Sequence, residues 1–184
     1  MQSLAQHGPT LLLTRPQAQA TRFADQCRAA IDENLCVVIA PTMEIKPRDV
    51  VLKLSNFAGV ALTSENGVRV LAALTDVEGV TAWCVGDRTA SVAESFGMIA
   101  KSAKGSVIEL AEMITKAAPK GAVLHPQGAR TAGDLVGALH GHGITAVSQV
   151  IYDQTEQGLS DTAWATLQNG SVILPLFSPR SARI

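Results

Sequence analysis

Apolar residues along this chain recur in two forms, short continuous runs and longer stretches with helical spacing, and the junctions between them share one design. Ala58, Gly59, Val60, Ala61 and Leu62 form one run, Thr63-Ser64-Glu65-Asn66-Gly67 follows, and then Val68, Leu71, Ala72 and Leu74 recur along one helix face. The run predicts a buried strand, the small polar residues a helix cap, and the periodic stretch an amphipathic helix. Three other junctions repeat the design. They are Thr14-Arg15-Pro16 after a leucine run, Gly128-Ala129-Arg130 after Val123 and Leu124, and Ser178-Pro179-Arg180 after residues 173–177. Each predicts a strand ending at a helix N-terminus, where unpaired N–H groups and the positive end of the helix dipole favour an anion. Every α/β protein has such junctions, so the pattern alone fits plain connectors as well as a binding cleft.

Taken in order, strands are expected at 10–14 and 35–40, with a helix between them opened by Pro16 and carrying Phe23, Ala24, Cys27 and Ile31 on its apolar face. Residues 41–47 alternate apolar and polar, with prolines at both ends, as an exposed edge or a crossing between domains would. From there the pattern predicts helices at 48–55, 65–74, 87–96, 106–117 and 129–140, with strands at 58–63, 80–85, 98–101, 121–125 and 144–152. Such alternation is the mark of a doubly wound parallel sheet. Tyr152 and the polar residues after it look like a second crossing. A helix capped by Ser160, a strand at 171–177 and a helix opened by Pro179 complete the pattern.

Composition narrows the functional classes. At 184 residues and 47% hydrophobic, the chain has enough apolar residues for one large or two small cores. A net charge of -1 gives no electrostatic case for nucleic acid or an anionic membrane, where a basic stripe or patch is expected. Cys27, Cys36 and Cys84 are odd in number and widely separated, so reduced core thiols are expected rather than disulfides. His7, His125, His140 and His142 lack metal-ligand spacing, and His140-Gly141-His142-Gly143 reads as a helix end. No metal is therefore expected. Neither a signal-like N-terminus nor a membrane-length run is present, which points to a cytoplasmic protein.

Six segments together resemble the uroporphyrinogen-III synthase family. They are Thr14-Arg15-Pro16, the stretch from Leu62 to Arg69, Val85-Gly86-Asp87-Arg88-Thr89-Ala90, Gly128-Ala129-Arg130, Val150-Ile151-Tyr152, and the stretch from Phe177 to Ala182. The resemblance implies two doubly wound α/β domains joined by a two-stranded ladder. Residues 1–39 and 155–184 would form the first domain and residues 41–150 the inserted second, with crossings near 40–47 and 148–156. It also implies further β-α units completing the first domain, which at about 70 residues is short of the roughly 100–150 typical of one.

The implied reaction is cyclisation of the linear tetrapyrrole hydroxymethylbilane to uroporphyrinogen III, with inversion of ring D and loss of water, a hydro-lyase step of haem biosynthesis. The implied enzyme needs no cofactor, acts as a monomer, and makes transient contact with the preceding pathway enzyme. Tyr152 is the catalytic candidate, a phenol placed to help the substrate hydroxyl leave; a tyrosine at a strand end also serves as an amphipathic anchor. Substrate-binding candidates are Arg15, Ser64, Asn66, Gly67, Thr89, Ala90, Gly128, Arg130, Ser178, Pro179 and Arg180. Thr89 reads equally as a donor to a substrate carboxylate and as an ordinary first-turn residue, and Ser64, Asn66 and Ser178 equally as caps. The arginines read as carboxylate partners or as solvated loop residues. A non-catalytic two-domain binder of a small anion is the alternative. A nucleotide-binding reading is weaker, because no Gly-x-Gly-x-x-Gly follows a strand.

Overall fold

The computed structural model describes residues 8–131 and 133–177. Its elements in chain order are β1 (Thr10–Leu13), α1 (Gln17–Ala30), β2 (Val37–Ile39), β3 (Met43–Pro47), β4 (Gly59–Leu62), α2 (Glu65–Leu74), β5 (Thr81–Cys84), α3 (Asp87–Ser95), β6 (Ile99–Ser102), α4 (Val107–Ala117), β7 (Val123–Gly128), α5 (Leu135–Gly141), β8 (Ala146–Glu156), α6 (Asp161–Asn169) and β9 (Val172–Ile173). The chain divides into two compact units, Met1–Ile45 with Thr155–Ile184, and Lys46–Gln154.

The smaller unit is built on three strands in the order β2-β1-β9, all parallel. Successive side chains of a strand face opposite sides, and β1 uses both. Leu11 and Leu13 pack against Ala20 and Ala24 of α1, while Leu12 packs with Ala163 of α6. Phe23 of α1 meets Phe177 edge to face, with ring centroids 5.0 Å apart.

The larger unit carries most of a six-stranded sheet in the order β3-β8-β7-β4-β5-β6. From β8 to β6 every pairing is parallel. The chain winds outward from β4 through β5 to β6, then returns to β7 and winds the other way to β8, so the strand order reverses between β4 and β7. Ala61, Trp83, Val123 and Ala146 face Leu110 and Ile114 of α4 and Leu135 and Leu139 of α5. Buried alternate residues such as Val60, Leu62 and Leu124 face the other side, where α2 packs on β4 and β7. Each fully buried leucine or isoleucine contributes about 1.5–3 kcal/mol through burial. Gly59 is required at its position, because a Cβ there would lie 2.6 Å from the Thr81 carbonyl oxygen.

β3 closes the edge beside β8. The Arg48 N–H donates to the Ile151 carbonyl at 2.8 Å and the Gln157 N–H to the Thr42 carbonyl at 2.9 Å, so the two segments run in opposite directions. The Arg48 guanidinium grips both Asp153 carboxylate oxygens, at 2.8 and 2.7 Å. This contact holds Arg48 above its ordinary pKa and Asp153 below its own.

Several expected boundaries are corrected. No helix spans 48–55; the stretch holds only a 3-10 turn at Leu54–Asn56, and Val51 is exposed. The Arg48 bond to Ile151 keeps the start of that stretch strand-like, and consecutive β-branched Val50 and Val51 are poor helix formers. The helix expected from 129 begins at Leu135, because the Ala129 N–H is still bonded to the Tyr152 carbonyl at 2.9 Å and Asp134 supplies the cap. β7 correspondingly runs past 125 to Gly128. The strand expected at 171–177 is only β9, two residues followed by Pro175, which has no N–H to continue the ladder. Of the expected core thiols only Cys84 is buried; Cys27 is half-buried and Cys36 exposed. Ser178, Pro179 and Arg180, and the helix expected there, lie outside the described residues.

Candidate functional site

In an open α/β sheet, ligands bind beyond the carboxyl ends of the strands where the strand order reverses. The larger unit has a cavity of about 340 Å³ at that place. Thr63 and Ser64 follow β4, Val85 follows β5, Ser106 caps α4 after β6, Gln127 and Gly128 end β7, and Tyr152 and Gln154 come from β8; all line it. The described lining contains no aspartate or glutamate, and Arg130 supplies a cation.

Each of these residues is placed by a local reason. Ser64 is extended and caps α2, its Oγ accepting the Gly67 N–H at 3.1 Å. Ser106 caps α4 through a capping box in which Glu109 reaches back to the Ser106 N–H. Gly128 sits at a bulge in the β7–β8 pairing. A Cβ on Gly128 would lie 2.7 Å from the Tyr152 ring carbon Cε2 and 3.1 Å from its hydroxyl oxygen. Only glycine lets the phenol lie against the strand here.

The Tyr152 side chain is buried, with its hydroxyl 3.2 Å from the Ser64 hydroxyl, and either can donate. Burial pushes the phenol pKa up, and hydrogen bonds from Ser64 and the Gly128 backbone draw it partway back. At neutral pH the group is a protonated donor. His125, on β7, is also buried in the lining, with Nδ1 2.8 Å from the Ala61 carbonyl oxygen. Burial lowers its pKa, the carbonyl contact opposing, so its ring is neutral.

The cavity thus gathers four of the sequence-predicted residues, Ser64, Gly128, Arg130 and Tyr152. Asn66 and Gly67 stand in the first turn of α2, outside the lining, and Gly67 contributes the amide that Ser64 caps. Thr89 and Ala90 are buried in the first turns of α3 and do not line it. Arg15 belongs to the smaller unit, where its guanidinium carbon lies 4.0 Å from the centre of the Phe177 ring. Sequence reasoning missed Thr63, Gln127, Thr131 and Gln154, and weighed His125 only as a metal ligand. The available signal was one polar residue inside the run Val123-Leu124-His125-Pro126. Among the described residues no group of three or more histidine, cysteine, aspartate or glutamate side chains could hold a metal, and no helix is long and apolar enough to cross a membrane.

The reversal of strand order, with a concave site at its carboxyl end, defines an open-sheet α/β protein. A family model described as uroporphyrinogen-III synthase HemD matches residues 28–184, and the chain belongs to that family. No curated protein matches it. Its fold is similar to that of uroporphyrinogen-III synthetase from Helicobacter pylori 26695, with a TM-score of 0.63, 17% identity, and coverage of 95% of this chain and 75% of that one. A mutant uroporphyrinogen III synthase from the extremely thermophilic bacterium Thermus thermophilus aligns with a TM-score of 0.47 and 11% identity, over 82% of this chain and 64% of that one.

Proposed function

We propose that the protein cyclises hydroxymethylbilane to uroporphyrinogen III, inverting ring D and releasing water. The observation that carries this reading is the pairing of the Tyr152 phenol with Ser64 in a cavity free of described carboxylates, within a chain of this family. The substrate bears many carboxylates, and a lining with Arg130 and hydroxyls suits them. The cavity is too small for four substituted pyrrole rings, so the reading assigns it to the reacting end of the substrate.

Hydroxide is a poor leaving group, and proton donation to the departing oxygen lowers the barrier. Tyr152 has the chemistry for that donation, being protonated at neutral pH, buried, and held by a neighbouring hydroxyl. Arg130 and the Ser64 cap hold and orient carboxylates, and positioning of the two bilane ends supplies a further part of the acceleration. In this reading Arg15, Asn66, Gly67, Thr89, Ala90, Ser178, Pro179 and Arg180 remain substrate-binding candidates. The test is the isomer of the macrocycle that the protein forms from hydroxymethylbilane.

A further inference from the structure

His125 is the buried titratable group that proton donation by Tyr152 leaves unused. Its Nδ1 faces the Ala61 carbonyl oxygen at 2.8 Å, and a carbonyl only accepts, so Nδ1 carries the hydrogen. In the neutral ring the lone pair is then fixed on Nε2. Nε2 has no hydrogen-bond partner among the described residues, although the side chain lines the same cavity as Ser64 and Tyr152.

Cyclisation creates a use for it. The bilane C–O bond breaks and the oxygen leaves as water with one added proton. A carbon–carbon bond forms between the freed carbon and the substituted α-carbon of ring D, and the bond from that α-carbon to its original bridge breaks and re-forms at the other α-carbon. That second carbon, which carried hydrogen in the open chain, releases it as a proton when the pyrrole regains aromaticity. One proton is given and one is taken up. We propose that His125 Nε2 is the acceptor of that released proton, with the Tyr152 phenol as the donor to the departing oxygen. This rests on the cyclase reading of the cavity. The proton reaches solvent from the imidazole and the phenol is reprotonated, so no oxidant or cofactor enters.

The test uses the full chain and His125→Asn, which keeps an N–H for the Ala61 carbonyl and removes the ring lone pair. The expected result is a fall in kcat for the type III isomer of about 10²-fold or more, with partial rescue by added imidazole. The wild-type kcat/KM should fall on the acid side as the imidazole protonates, a limb that Tyr152→Phe keeps and His125→Asn loses. The other ionisable side chains of the lining are Arg130 and Tyr152, and Glu65 is the buried acid of α2, which packs on β7. Activity of His125→Asn within about threefold of wild type overturns the base role. A loss without imidazole rescue and with the acid limb retained also overturns it, by assigning His125 a structural role. Should the variant fail to fold, the wild-type and Tyr152→Phe profiles decide: an acid limb in both supports the proposal, and its absence overturns it. A wild-type chain that forms no type III isomer overturns the cyclase reading itself, and the base with it.

Discussion

The hydroxyl oxygens of Ser64 and Tyr152 lie 3.2 Å apart, one on the cap of α2 and the other on β8. Their meeting depends on the reversal of strand order, which places the end of β8 near the end of β4 with β7 between them. If the phenol assists departure of the substrate hydroxyl, Tyr152→Phe lowers kcat by roughly 10²-fold and leaves KM nearly unchanged, because the lost interaction belongs to the transition state. Steady-state kinetics on the folded variant checks this; a change confined to KM would mean that the phenol only binds.

Gly128→Ala is expected to destabilise the protein by about 1–3 kcal/mol, the usual cost of forcing extra atoms into a packed site. The added methyl would fall 2.7 Å from Cε2 of a buried Tyr152 ring. Denaturant melts of Gly128→Ala, Tyr152→Leu and the double variant form a cycle. A smaller penalty in the Tyr152→Leu background is expected, since the ring that blocks the methyl is then gone.

His125 gives stability a pH dependence of known sign. Burial lowers its folded-state pKa below the unfolded value, so between the two the unfolded chain binds more protons. Stability is then complete above the usual imidazole range and declines as pH falls through it towards the lowered value. Thermal melts from neutral to acid pH should show this decline in wild type, and a shallower one in His125→Asn.

Residues 41–150 are proposed to fold alone as an inserted domain. Expressed separately, the segment is expected to show one cooperative thermal transition; a gradual, non-cooperative loss of signal would remove the idea.

The parts of this fold legible in the sequence were those written in local chemistry. Ser64 followed by Val68 and Leu71 declares the start of α2, and the structure shows that cap bonded to Gly67. The delayed start of α5 was not legible, because it depends on a bond between Ala129 and Tyr152, twenty-three residues apart in the chain (152 − 129 = 23). Residues 48–53 misled for a related reason: their apolar spacing suited a helix, while Arg48 answers to Ile151 and Asp153. At the site, Ser64, Gly128, Arg130 and Tyr152 were visible as junction residues. His125 was hidden because its partner, the Ala61 carbonyl, lies on another strand and leaves no mark in the sequence.

The central claim is cyclisation with inversion, and the isomer formed tests it most directly. The full chain is incubated with hydroxymethylbilane, the products are oxidised, and the type I and type III macrocycles are separated. Spontaneous closure gives the uninverted type I isomer, so the account predicts predominantly type III, formed faster than the protein-free control. Type I alone, at the control rate, would contradict it.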